Sequence, residues 1–210
     1  MTPIAHFESI WGRCEELAAM HAYLAKQLTN ALRPDELLRA EWVTRVSALD
    51  LYVHELVAKG MLDTFEGRKP ASNGYLRFQV ANDVLMRIRS APSPNAARQA
   101  FDLEVRTRLG YVTYQDPDKI AEGVRLCSDV ELWNDVAIAL GATQATKIVK
   151  AKAIKRELSL IVERRNKIAH EGDLQPLPPR VPWVIDRADL QHVARCIEGI
   201  VRAIDSIVTA

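Results

Sequence analysis

Residues 143–170 read TQATKIVKAKAIKRELSLIVERRNKIAH, which is the pattern of a long amphipathic helix. Apolar residues recur in this stretch at spacings that suit one helix face, namely Ile148, Ile154, Leu158, Ile161 and Ile168. The residues that follow end helices rather than continue them: Gly172, Pro176, Pro178, Pro179 and Pro182. The stretch therefore predicts a long helix with one buried stripe, which other helices must cover.

Three further stretches have the same helical spacing of apolar residues. They run from Pro3 to about Leu28, from Pro34-Asp35 to about Gly60, and from the N-cap candidate Asp186 to the carboxyl end. Weaker helical patterns cover about 76–88, 97–109, 119–127 and 130–140, whereas residues 64–74 are typical of an exposed loop. We therefore predict an all-α fold, a bundle of four long helices in a single domain over residues 1–210, with about 74–141 as a shorter helical insertion.

Charge and cysteine content restrict the function only weakly. The chain has 28 Lys plus Arg against 27 Asp plus Glu, so a nucleic-acid partner can be indicated only by local clusters of charge. Cys14, Cys127 and Cys196 are widely spaced, which favours a reducing cytoplasm over a disulfide framework or a zinc site. No signal peptide is visible, and no stretch approaches the roughly 18 apolar residues of a membrane span. We expect a cytoplasmic protein without a membrane partner.

Arg165 occupies a position in the third long helix where the stripe would place an aliphatic residue. Arginine is almost never fully buried without a partner, so this position indicates an ion pair between helices, a subunit interface or a groove that receives an anion. The simpler alternative is an arginine that extends from the edge of the stripe into solvent.

His170 follows Asn166 by one helical turn and Glu163 by two, so the three side chains share a face. Histidine transfers protons near neutral pH, and the arginine fork matches phosphate oxygens, so His170 and Arg165 together could cleave RNA without a metal. Asn166 could orient the imidazole. A lone histidine near a helix end is more often a cap or a surface residue, so the spacing alone does not establish a site.

The segment ERRNKIAHEGD (163–173) resembles the motif of HEPN domains, in which an arginine, a polar residue and a histidine lie near the end of a long helix. Together with VSALDLYVHELV (46–57), it looks like the RiboL-PSP-HEPN branch of predicted ribonucleases. The resemblance implies a helical bundle, metal-independent RNA cleavage without a cofactor, and a homodimer with a shared active-site cleft. By position, Arg165 and His170 match the catalytic pair and Asn166 the orienting residue.

The resemblance also concerns partners. Such domains often act in antiviral defence or as toxins, which allows for a protein inhibitor or a defence-system partner. HEPN toxins that a nucleotidyltransferase neutralises tend to carry tyrosine two residues after the histidine, whereas this chain has Gly172. That form of control is therefore not expected here.

Other residues could support the site. The third long helix is rich in Lys and Arg, and we predict that Arg156, Arg164 and Lys167 contact RNA, although a solvated helix face is an equal alternative. Asp50 and His54, one turn apart, could pair with Arg165, join the cleft or form a local structural pair. His192 and Cys196 share a helix face, but two candidate ligands do not make a metal site.

Two alternatives to a ribonuclease remain at the level of sequence. The same fold could bind RNA, a nucleotide or a protein without catalysis, or it could be a scaffold in which Arg165 is structural.

The spacing of Arg165 and His170 gives a geometric argument for the dimer. Arg165 and His170 are separated by about 140° around an ideal helix, so they diverge within one chain and could meet across a two-fold axis.

Overall fold

The structure, a computed structural model, describes residues 1–27 and 34–209. These residues form the helices α1 (Pro3–Gln27), α2 (Asp35–Phe65), α3 (Asn73–Leu76), α4 (Asn82–Arg89), α5 (Pro94–Leu109), α6 (Pro117–Arg125), α7 (Leu132–Ala139), α8 (Lys147–Glu171) and α9 (Arg187–Val208). Apart from an isolated bridge between Leu174 and Pro182, no strand pairing occurs among them. The predicted all-α fold is confirmed.

The four long helices that the sequence predicts are α1, α2, α8 and α9, with 25, 31, 25 and 22 residues. Helix α2 lies at the centre, because it packs against α1, α5, α6, α8 and α9. Its side chains Val46, Leu49, Val53 and Val57 are fully buried. The apolar stripe of α8 is buried from Ala151 through Ile154, Leu158 and Ile161, whereas Ile148, predicted on that stripe, is exposed.

Helix α2 does not end near Gly60, and that part of the prediction is wrong. The helix continues to Phe65, and Gly60 lies against Cys127, where an added Cβ would stand 2.5 Å from the Cys127 Cβ. This glycine permits close packing of α2 against the residues after α6 and does not interrupt the helix. The predicted end of the first helix, Leu28, lies outside the described residues.

The insertion is helical, but its first helix is split. The sequence predicts helix over about 76–88, whereas residues 77–81 separate the single turn α3 from α4. Ser72, within the predicted loop, caps α3 by accepting a hydrogen bond from the Tyr75 backbone N–H at 3.0 Å. The other three predicted helices of the insertion correspond to α5, α6 and α7.

The two carboxyl-terminal helices begin and end close to where the sequence places them. Asp186 caps α9 as predicted: its side chain accepts from the Asp189 N–H at 2.9 Å, and Asp189 accepts in return from the Asp186 N–H. Helix α8 ends at Glu171, followed by Gly172 in the left-handed conformation. None of the described helices combines the length and the apolar character that crossing a membrane requires.

Candidate active site

The carboxyl-terminal half of α8 forms one wall of a groove with a volume of about 490 Å³. Residues of α8 that border it are Ser159, Val162, Glu163, Arg165, Asn166 and His170. The opposite wall belongs to the insertion, at the connection from α5 to α6, and contains Thr113, Gln115, Asp116 and Pro117. The structure thus brings four predicted site residues to one groove, together with a wall that the sequence did not predict.

Arg165 is half-buried and is held by two neutral side chains. Its Nη1 donates to the Asn166 Oδ1 at 2.9 Å, and its Nη2 donates to the Gln115 Oε1. The Nε–H is buried and has no acceptor among the described residues. No carboxylate of residues 1–27 or 34–209 forms an ion pair with this guanidinium, although Asp116 and Glu163 border the same groove. An ion pair between helices therefore does not explain the arginine in the apolar stripe.

His170 and Asn166 are exposed at the end of α8. The sequence predicted that Asn166 orients the imidazole, but the Asn166 side-chain oxygen instead accepts from Arg165. Arg165 and His170, which the sequence predicts to diverge within one chain, both border the same groove. Glu163 is exposed on the same wall.

Asp50 joins the site through Gln115. Its Oδ2 accepts from the Gln115 Nε2 at 2.9 Å, and its Oδ1 accepts from the Tyr114 backbone N–H at 2.6 Å. The His54 Nε2 lies 3.7 Å from the same Oδ1. Asp50 therefore contacts His54 within α2 and is also linked to the groove through Gln115. Gln115 was missed, because it lies far from α8 in sequence and no motif marks it. Only the fold of the α5–α6 connection brings it there.

Arg164, which the sequence predicts to contact RNA, is engaged in contacts within the chain. It donates to both carboxylate oxygens of Asp173, at 3.1 and 2.9 Å, and to the Val184 carbonyl at 3.0 Å. Its guanidinium also lies over the Trp42 ring, 5.5 Å from the centroid. These contacts engage Arg164 in holding the segment after α8, so we withdraw it from the RNA-binding set.

Arg156 and Lys167 are exposed on α8 and form no ion pair within the described part of the chain. Other basic residues of α8 are engaged: the Lys155 Nζ lies 2.6 Å from the Asp118 Oδ1, and the Lys147 Nζ lies 4.0 Å from the Glu131 Oε2. The basic character of this helix is therefore only partly available to a polyanion.

The described residues contain no group of three or more His, Cys, Asp or Glu placed to hold an ion. His192, which the sequence set beside Cys196, instead lies with its Nε2 2.6 Å from the Glu157 Oε1. Burial raises the pKa of the Cys196 thiol to about 11.

A family model described as RiboL-PSP-HEPN matches residues 10–210. The chain belongs to the RiboL-PSP-HEPN family. The match includes both walls of the groove and every predicted site residue. HEPN domains are ribonucleases or nucleotide-binding modules, and many bind RNA and dimerise. Comparisons with curated proteins and with solved structures found no match.

In this RiboL-PSP-HEPN chain, the residue two positions after the histidine has a backbone that favours glycine. Gly172 has φ +65°, the left-handed conformation that closes α8. A tyrosine there would be strained.

Proposed function

We propose that this RiboL-PSP-HEPN protein is a metal-independent endoribonuclease. The observation that carries the proposal is an arginine without a carboxylate partner, Arg165, on the same groove as His170. A guanidinium without an ion-pair partner can bind a phosphate, and an exposed imidazole can exchange protons with its ligand. The groove thereby combines a phosphate-binding group and a proton-transfer group, both of which RNA cleavage uses.

The proposed reaction uses the neighbouring hydroxyl of RNA as the nucleophile. The 2′-oxygen loses its proton and bonds to phosphorus, the bond from phosphorus to the 5′-oxygen breaks, and that oxygen takes up a proton. The products are a 2′,3′-cyclic phosphate and a 5′-hydroxyl. His170 takes the proton from the 2′-hydroxyl or gives one to the 5′-oxygen, water exchanges the other proton, and Arg165 stabilises the charge on the phosphoryl oxygens. Asn166 fixes the guanidinium of Arg165, and Glu163 is the supporting carboxylate on the same wall.

The surroundings of the groove favour RNA as the ligand. Arg156 and Lys167 are exposed on α8 beside the groove residues, and we assign them contacts with the phosphate backbone. We further propose a homodimer that places the two grooves in one cleft, in keeping with the dimerisation of many HEPN domains. A role in defence or as a toxin, with an inhibitor or partner protein, stays a prediction from the family.

The direct test is cleavage of a mixed RNA pool in excess chelator, with mapping of the fragment ends. We expect cleavage to persist and to leave 2′,3′-cyclic phosphates. His170→Ala should lower the rate by roughly a hundredfold to ten-thousandfold, and Arg165→Ala should lower it too. His192→Ala, which removes an exposed histidine paired with Glu157, is the matched control and should cleave normally. Loss of cleavage in chelator that only magnesium restores, or cleavage of DNA at a similar rate, would contradict the mechanism.

The second candidate is a HEPN module that binds RNA, a nucleotide or a protein without cleaving. One observation favours it: Asn166 bonds Arg165 and leaves His170 without the predicted orienting partner. Under this alternative the wild-type protein and His170→Ala bind RNA equally and neither cleaves it. Arg165→Ala should weaken binding under both functions, so the cleavage assay decides between them.

A further inference from the structure

Gln115 is a buried polar residue between α2 and α8, and it comes from the connection between α5 and α6. It is 7% exposed, although glutamine is mostly a surface residue. Its amide bonds two side chains from different helices, Asp50 of α2 and Arg165 of α8. A connection that merely joined two short helices would not need a buried amide at this place.

The two neighbours permit a single orientation of the Gln115 amide. A carboxylate can only accept hydrogen bonds, and a guanidinium can only donate them. The amide nitrogen must therefore face Asp50, to which it donates at 2.9 Å, and the amide oxygen must face Arg165. Asp50 is itself fixed by the Tyr114 backbone N–H at 2.6 Å. The arginine is thus linked to the α2 helix through an amide whose direction is set.

The neutrality of this link matters for the charge at the groove. A carboxylate in direct contact with Arg165 would compensate its charge, and a phosphate would then have to compete with it. In the series of contacts Asp50–Gln115–Arg165, the only carboxylate is that of Asp50, and the Gln115 side chain separates it from the guanidinium. A guanidinium has five N–H donors. Arg165 uses one on Gln115 and one on Asn166, and its Nε–H is buried, so the two other N–H groups of the Nη atoms remain for a ligand.

We propose that Gln115 is the positioning residue that holds Arg165 at the groove as a cation without an ion-pair partner, with Asp50 setting the direction of the Gln115 amide. This inference rests on the proposed function for its catalytic consequence. It assigns to the insertion a part in the site: the insertion supplies the contact that fixes the phosphate-binding arginine.

The experiment exchanges the charge without changing the number of polar groups. In Asp50→Asn/Gln115→Glu, the asparagine amide can donate to the new carboxylate and its oxygen can still accept from the Tyr114 N–H. The link to Arg165 is kept and net charge is unchanged, but the negative charge now touches the guanidinium. We expect folding close to that of the wild type, while kcat/KM for RNA falls by about ten- to a hundredfold. Gln99→Ala, at an exposed glutamine of α5, is the control and should match the wild type.

Gln115→Ala removes the link and tests the positioning itself. The readout is the NMR signal of the Arg165 Nε–H group, assigned by its loss in Arg165→Ala, with a heteronuclear NOE as the measure of order. We expect an ordered Arg165 in the wild type and in the exchange variant, and a mobile one in Gln115→Ala. This measurement needs no cleavage, so it tests Gln115 even if the protein proves to be a binding module.

The outcomes separate the two proposals. If the wild type cleaves no RNA but Arg165 becomes mobile in Gln115→Ala, the ribonuclease proposal is rejected and the positioning role of Gln115 is kept. In that case, weaker RNA binding by the exchange variant measures the effect of the charge. An Arg165 as ordered in Gln115→Ala as in the wild type overturns the positioning role, whatever the activity. An exchange variant with unchanged cleavage and unchanged RNA binding overturns the need for a neutral link.

Discussion

Arg164 donates two hydrogen bonds to Asp173, at 3.1 and 2.9 Å, across the turn that ends α8. Asp173 is fully buried and also accepts from the Arg39 Nε of α2 at 3.1 Å. The Arg39 Nη2 in turn donates to the Trp183 carbonyl at 2.6 Å. This cluster fastens the residues directly after His170 to the beginning of α2.

The first prediction concerns stability. Asp173→Ala should lower the free energy of unfolding by about 3–5 kcal/mol, because two largely buried arginines would lose their shared carboxylate. Urea denaturation followed by circular dichroism measures this change. Glu171→Ala, at an exposed acidic residue two positions earlier, is the control and should change stability by about 0.5 kcal/mol or less. Equal effects of the two variants would show that the Asp173 cluster stabilises little.

The second prediction separates RNA contacts from structural arginines. In a His170→Ala background, in which cleavage should be strongly slowed, Arg156→Ala and Lys167→Ala should each reduce the slope of log Kd for single-stranded RNA against log salt concentration by about 0.7. Arg164→Ala should lower the melting temperature and leave that slope unchanged, since Arg164 is engaged by Asp173. A slope that depends on Arg164 but not on Lys167 would reverse our assignment.

The third prediction concerns the proposed dimer. Arg165→Ala and His170→Ala subunits, each inactive alone, should regain part of the cleavage activity when mixed. A mixed dimer keeps one Arg165 and one His170 on opposite chains, and a site shared across the interface can use both. Subunit exchange is verified with tagged chains. Because both residues border one groove within a chain, exchange without any recovery would assign catalysis to the single chain.

The fourth prediction concerns alkaline pH. Burial raises the pKa of the Cys127 thiol from 9.0 to about 11. The thiol is therefore harder to ionise in the folded than in the unfolded chain, so its contribution to stability is complete below pH 9 and is lost as pH rises toward 11. Unfolding by urea at pH 8, 9 and 10.5 should show falling stability, less steeply in Cys127→Ala. Identical slopes in the two proteins would refute this assignment.

Much of the fold follows from the sequence, and the reason is local. The spacing of Ile154, Leu158 and Ile161 and the cap at Asp186 depend on neighbours within a turn or two, and both are confirmed. Gly60 misled the prediction, because its role depends on Cys127, which is distant in sequence. A glycine that ends a helix and a glycine that lets another segment approach cannot be told apart without the partner.

The candidate site was predicted in part for the same reason. The residues of one helix, Glu163, Arg165, Asn166 and His170, follow from helical spacing and border one groove. Arg164 was assigned to RNA, because nothing in the sequence shows that Asp173 would be buried against it. Gln115 could not be found, since its contacts join segments about 50 to 65 positions apart.

The uninterrupted course of α2 determines more than the packing of the core. Arg39 binds the turn after His170, and Asp50 binds Gln115, so one helix supports both sides of the groove. At about 1.5 Å and 100° per residue, the two side chains lie about 16 Å apart along the axis and within about 20° in rotation. Deleting a single residue between them would turn Asp50 by about 100° relative to Arg39. The helical phase between positions 39 and 50 is thus part of the site, even though no residue between them borders the groove.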